Sequence, residues 1–447
     1  MKKRLLLVEL NEVNFDVVKK YVADEPHLFP TFQKILSWEN RKTSSEAEYD
    51  HLEPWIQWVS AHTGQTYQQH GVFRLGDMVR SDHLQIFERV ESAGFSVGAI
   101  SPMNAKNNLA HPKYFIPDPW TETPPDNSWW SINLSTALSQ AVNDNASARL
   151  SFSTLVILLM AVIKFAKIRN YPKYVAFAFK SLSKSWYKAL FLDMFLADLH
   201  LNLSSKKNPD FAVIFFNAGA HIQHHYFHNS PHAGAVEFSN PEWYCKSGDD
   251  PIKDMISAYE DILSGILKDP TYEVILATGL TQKPYTHTKF YYRLSNHEAF
   301  LKLLGLDYVS VTPLMTRDFV VHVGADAGAL NRMVDGLKNI VASDGIALFN
   351  EVENRGDSVF ASLTYPNEID RNTHVILNGE KIFLLDKVAF VAVKNGMHDG
   401  TGYSYFTEKV ANYCPKDFAH IASLYNCIEA YFGIPATRLM EAQPSPS

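Results

Sequence analysis

Five histidines crowd one short segment of this chain: His221, His224, His225, His228 and His232. His221 and His225 are spaced i, i+4, and so are His224 and His228, so a helix would put each pair on one face. Imidazoles at that spacing suit metal ligation and acid–base work. The apolar run Phe211–Phe216 comes just before them, and open α/β sheets build their sites where strands end. The bland alternative is a set of surface loop histidines. A second pair, His398-Asp399, lies far downstream; Asp399 can orient the neighbouring imidazole or act as an acid or base itself. His51, with Tyr49 and Asp50, precedes a helix opened by Pro54 and is a substrate-binding candidate, a plain turn being the alternative. Arg293, with Lys283 and His287 near it in sequence, is the cation expected to meet a phosphate or sulfate; a solvated surface role is equally open.

The elements that must position these groups are legible as alternating apolar runs and amphipathic stretches. Arg4–Leu10, Phe95–Ile100, Phe211–Phe216 and Glu273–Ala277 read as strands, and Phe15–Leu36, Leu84–Ala93 and the repeat Met255, Ile256, Tyr259, Ile262, Leu263, Ile266 as helices. That alternation predicts an α/β fold: a mainly parallel sheet sandwiched by helices, its first four strands neighbours. Two stretches interrupt it. Residues 118–203 read as a helical insert and 316–388 as a small α+β subdomain. The core is then 1–117, 204–315 and 389–437, with 438–447 a tail.

The chain has 447 residues, a net charge of −7, and 46% hydrophobic and 20% charged residues. These values fit a globular protein and give no push toward nucleic acid. Its three cysteines support neither a disulfide framework nor a zinc motif. The basic, apolar start Met1–Val8 is cut short by Glu9, too early for a signal peptide. The expected location is therefore the cytoplasm, with an option of contact at the membrane's inner face. That option comes from 145–192, which has no acidic residue but carries Arg149, Lys164, Lys167, Arg169, Lys173, Lys180, Lys184 and Lys188 among aromatic side chains. The alternative is a cap with solvated lysines.

Six segments, in order, resemble the alkaline phosphatase superfamily, in particular its type I phosphodiesterase and nucleotide pyrophosphatase branch. They are Leu5–Asn11, Glu53-Pro54-Trp55 through Thr63-Gly64 and His70-Gly71, Asn208 through His221, Val274–Gly279, Gly396-Met397-His398-Asp399-Gly400-Thr401-Gly402, and Ile421–Pro435. The resemblance implies two divalent metals and an alkoxide nucleophile acting on a phosphoester. It places Glu9 at a metal-binding Asp, Asn217 and Thr278 where carboxylate and imidazole ligands are expected, and Glu53 near the nucleophile.

The matched positions therefore describe a degenerate site. Glu9, His221 and His398 would hold one ion at most, zinc or manganese, or none. Glu53, His221, His225, His398 and Asp399 are the catalytic candidates, and Asn11, His51, Asn217, Thr278 and Arg293 the substrate-binding ones. The implied activity is hydrolysis or group transfer on a phosphorylated or other anionic ester, small or linked to a glycan or lipid. Two alternatives stay open: an inactive member that binds an anion or a protein, and a metal-independent transferase using the histidine cluster.

Overall fold

The computed structural model describes residues 3–143, 151–234, 238–314, 317–324 and 326–436; the expected tail 438–447 lies outside them. The described chain forms two compact units. The first comprises Met1–Gly234, Asp249–Pro284 and Gly396–Ser447, the second Ala235–Gly248 and Tyr285–Asn395. The second is wider than the 316–388 segment read from sequence, and 118–203 belongs to the first.

The first unit is built on an eight-stranded sheet. Its strands are β1 (Leu5–Leu10), β2 (Glu39–Ser44), β3 (Val97–Ile100), β4 (Tyr114–Ile116), β5 (Phe211–Phe216), β6 (Glu273–Ala277), β15 (Thr401–Phe406) and β16 (Ala419–His420). Their order is β16-β2-β15-β6-β1-β5-β3-β4. The run β6-β1-β5-β3-β4 is parallel throughout, and β15 is antiparallel to both its neighbours. The four strands expected as neighbours are adjacent in this order. Every residue of β1 and β5 is buried, as both faces of a parallel sheet must be. On one face Leu5, Leu7, Phe211, Val213, Phe215 and Ile275 share a core with Trp58, Phe87, Tyr425 and Ile428. On the other, Phe216 meets Tyr259 of helix Pro251–Ile266.

Two sequence readings change. Phe15–Leu36 is not one helix but Phe15–Asp24, a short 3-10 turn and Pro30–Leu36, because Pro26 and Pro30 cannot donate within a continuing helix. The polar segment Glu39–Ser44 forms a strand with no apolar residue to announce it.

The second unit is small and mixed. Strands β8 (Ser310–Pro313), β9 (Asp318–His322), β10 (Glu351–Asn354) and β11 (Ser358–Ser362) form an antiparallel sheet, and β12 (His374–Leu377) pairs with β13 (Glu380–Phe383). Its own core includes Phe300, Phe319, Met333, Leu337 and Phe349. Two long paired strands, β7 (Thr281–Leu294) and β14 (Val388–Asp399), have residues in both units.

Candidate metal and catalytic site

β1 ends at Leu10, and the chain turns sharply through Asn11 and Glu12 before helix Phe15–Asp24. Glu12 adopts φ 60, a left-handed conformation that costs a non-glycine residue about 1–2 kcal/mol. The corner is held by hydrogen bonds. The Glu12 N–H donates to Thr278 O at 3.0 Å, and its carbonyl accepts from Gln223 Nε2 at 2.7 Å. The result is a carboxylate buried just beyond the end of the central strand.

Two imidazoles face it. His224 lies on helix Ala218–Tyr226, which follows β5, and His398 near the end of β14. Glu12 Oε2 is 3.2 Å from His224 Nε2 and 3.3 Å from His398 Nε2, and the two nitrogens are 3.2 Å apart. His224 Nδ1 is 3.0 Å from Gly396 O. A carbonyl only accepts, so Nδ1 carries a proton, which leaves Nε2 as the atom of this ring that would ligate a cation. Gln282 Nε2 donates to Glu12 Oε2, and Asn11 Nδ2 donates to Oε1 at 3.2 Å. Burial alone would raise the Glu12 carboxyl, but facing His398 and His224 holds it well below the usual carboxylate range.

The triangle suits a divalent cation. Two tetrahedral bonds of about 2.0–2.1 Å put their ligand atoms roughly 3.3–3.4 Å apart, and these three atoms stand at 3.2–3.3 Å. Among the described residues this is the one group of three such side chains close enough to share an ion.

The assignment of ligands differs from the expected one. Glu9 is not beside His398. Residues 5, 7 and 9 of β1 share one face, and that face looks onto helix Pro54–Thr63, where Glu9 Oε1 lies 2.7 Å from His62 Nε2 with both side chains fully buried. Burial raises the Glu9 carboxyl, with His62 partly offsetting it. His221 is exposed one helical turn from the half-buried His225, their rings 4.8 Å apart; the histidine of this helix that enters the triangle is His224. Glu12 and His224 are thus the residues that sequence reasoning passed over in assigning roles.

The remaining candidates fall on both sides. Glu53 precedes helix Pro54–Thr63, and its Oε2 is 3.7 Å from His398 Nδ1. Asn217 Oδ1 accepts from Asn11 Nδ2 at 2.8 Å, and Asn11 Oδ1 accepts from Trp58 Nε1 at 2.8 Å. Thr278 is buried, bound through its carbonyl to Glu12 and through its hydroxyl to the Tyr403 N–H. These four border the triangle or support it.

Asp399 accepts from the Thr401 N–H and pairs with Lys283 at 3.3 Å; the carboxylates beside the His398 ring are Glu12 at Nε2 and Glu53 at Nδ1. His51 packs against Tyr67 with ring centroids 4.1 Å apart and lies 3.4 Å from Glu48 rather than in the triangle. Arg293 belongs to the second unit. Ser60 meets His70 in the core, and Thr63 bonds back to Val59 O.

No family model matches the chain, and no curated protein matches it. Solved structures do. Phosphonoacetate hydrolase from Sinorhizobium meliloti 1021, crystallised with phosphonoacetate, is 11% identical over 96% of each chain, with a TM-score of 0.39. Human ectonucleotide pyrophosphatase/phosphodiesterase 5 is 11% identical over 97% of this chain and 96% of its own, with a TM-score of 0.41. Alkaline phosphatase from the Antarctic bacterium TAB5 is 9% identical over 97% and 99%, also at 0.41. This chain is similar to those three proteins.

Proposed function

We propose that the chain is a divergent phosphoesterase of the alkaline phosphatase type that works with one divalent cation, zinc or manganese, held by Glu12, His224 and His398. The observation that carries this reading is the triangle of Glu12 Oε2, His224 Nε2 and His398 Nε2. It stands at the carboxyl end of a parallel sheet, where such folds place their ligands. One carboxylate and two neutral imidazoles form a ligand set suited to these metals. A bound cation supplies Lewis acidity toward a phosphoryl oxygen and an attacking water.

The protein's own groups do the rest. Glu53, beside His398 Nδ1, orients that ring and is the carboxylate placed to take a proton. Asn217, its oxygen occupied by Asn11, keeps its amide nitrogen as a donor for an anionic substrate. Lys283, paired with Asp399, adds positive charge nearby in the chain. The substrate class is a phosphorylated or similar anionic ester, free or carried on a glycan or lipid, with transfer to an acceptor other than water as a variant of the same chemistry. With Ser60 and Thr63 turned into the core, direct attack by water or acceptor is favoured over a covalent intermediate. The three cysteines, two of them buried, suit a reducing compartment.

A second reading has its own observation. The 3.2 Å separation of the two imidazole nitrogens is also a hydrogen-bond distance, so His398 and His224 can share a proton beside Glu12 and act without metal. Metal analysis of untagged protein, followed by p-nitrophenyl phosphate and bis-p-nitrophenyl phosphate turnover with and without chelator, separates the two. One metal per chain and chelator-sensitive turnover supports the first reading. Turnover that survives chelation supports the second. Metal-free protein without turnover points to an inactive binder and removes both.

A further inference from the structure

Helix Phe152–Phe165 reverses the usual order of an amphipathic helix. The side it turns inward includes Thr154, Ala161 and Phe165. The side it turns outward carries Phe152, Leu155, Val156, Leu159, Met160 and Ile163, all exposed, with Phe152 at 82% and Leu159 and Ile163 at 62%. Those positions recur at i, i+3, i+4, i+7, i+8 and i+11, which is one continuous stripe. Ile168, three residues past the helix, is 84% exposed. Isolated exposed apolar residues are ordinary, but a continuous stripe marks a surface that is covered in use.

Charge says what covers it. No acidic residue occurs from 145 to 192, in a chain whose net charge is −7. Lys173 and Lys184 are paired with Asp261 and Asp249. Lys164 lies over the Trp130 ring at 4.4 Å, and the helix is followed by Lys167 and Arg169. A second copy of this chain would set the same basic rim against itself in a two-fold contact. An anionic surface complements both the stripe and its lysines. The helix has 14 residues, about 21 Å, and no helix among the described residues is long and apolar enough to cross a membrane. A helix of this kind lies in the plane of the lipid headgroups with its apolar side sunk among the acyl chains.

We propose that helix Phe152–Phe165 docks the protein on an anionic lipid bilayer, with Lys164, Lys167 and Arg169 at headgroup level. The test is flotation of the full chain with vesicles of phosphatidylcholine alone and of phosphatidylcholine mixed with phosphatidylglycerol. The expected result is flotation with the anionic vesicles only, weakened by added salt. The double variant Leu159→Asp/Ile163→Asp should lose it while keeping the native melting curve and metal content, since both side chains already face solvent. Lys164→Gln/Lys167→Gln should weaken flotation several-fold. The proposal is overturned if the native chain stays unbound with both vesicle types, or if the Asp double variant floats as well as the native chain. It is also overturned if native protein forms a dimer or a stable protein complex that the double variant dissolves. None of these results bears on the phosphoesterase reading, which is tested separately at Glu12.

Discussion

Replacing Glu12 by Gln removes a negative charge and nearly preserves shape. The facing His398 and His224 hold the Glu12 carboxyl well below the usual carboxylate range, so its negative charge is part of the site at neutral pH. Glu12→Gln should therefore lose its metal while keeping secondary structure, as read by metal analysis beside circular dichroism; a variant with native metal content would remove Glu12 as a ligand. Glu53→Gln tests a different role. It leaves the triangle intact and removes the carboxylate 3.7 Å from His398 Nδ1. A loss of about 10–100-fold in kcat or metal affinity is expected, and an unchanged rate would make Glu53 a bystander. At this scale the sequence was readable by residue type but not by residue. Histidines and a carboxylate near strand ends announced a site. Which carboxylate entered it depended on a left-handed turn at Glu12 that no periodicity foretells, and on the strand alternation that turned Glu9 toward His62.

Between residue and fold stands the packing that aims the triangle. A side chain added at Gly396 would run into the Gln282 amide and come within 2.7 Å of Gln223 O. Those two glutamines are the groups that hold Glu12 by its carboxylate and its carbonyl. Gly396→Ala should cost about 1–3 kcal/mol from overpacking and lower metal affinity in the same protein. Urea unfolding with metal titration checks both, and a fully stable, fully loaded variant would show that the glutamines yield freely. The histidine helix is aimed from its other end. Buried Asp193 accepts from the Ala218 N–H at 2.9 Å, the Asn217 N–H at 3.3 Å and the Tyr259 hydroxyl at 2.8 Å. Nothing in the local sequence linked Asp193 to this helix, because the link exists only after β5 is in place. Strand β2 was unreadable for a related reason: its charged and polar residues pair through backbone groups that composition does not display.

The whole molecule sums opposing titrations. Burial pushes His70 and His200 down to about 4 from 6.5. Both take up a proton on unfolding between those values, so their contribution to stability is lost as pH falls through that window. Burial pushes Asp193 up to about 7 and Asp118 up to about 6, both from 3.8. The folded state then keeps protons that the unfolded chain releases, so stability falls as pH rises from about 4 toward 6 or 7. Between about pH 4.5 and 6 the two pairs act on stability in opposite directions. Asp193→Asn removes one of the carboxyls. Relative to the native chain, its stability should fall further on acidification over the same range, by an amount on the order of 1–2 kcal/mol, read from urea midpoints. A variant with the native pH profile would contradict the assignment.

The position of β15 has a consequence for how the protein is made. Residues 401–406 follow both β2 and β6 in the chain, yet they fill the gap between those two strands inside the sheet. While the ribosome is still extending the chain, β2 and β6 each present an open edge, and such edges recruit other strands. His398 arrives only three residues ahead of that closing strand. Assembly of the Glu12, His224 and His398 triangle and sheet closure are therefore one event, and the triangle is incomplete until that strand is made. A chain truncated before Gly396 is expected to aggregate when released, whatever the metal supply; light scattering of the truncated and full-length products, translated in parallel, checks this.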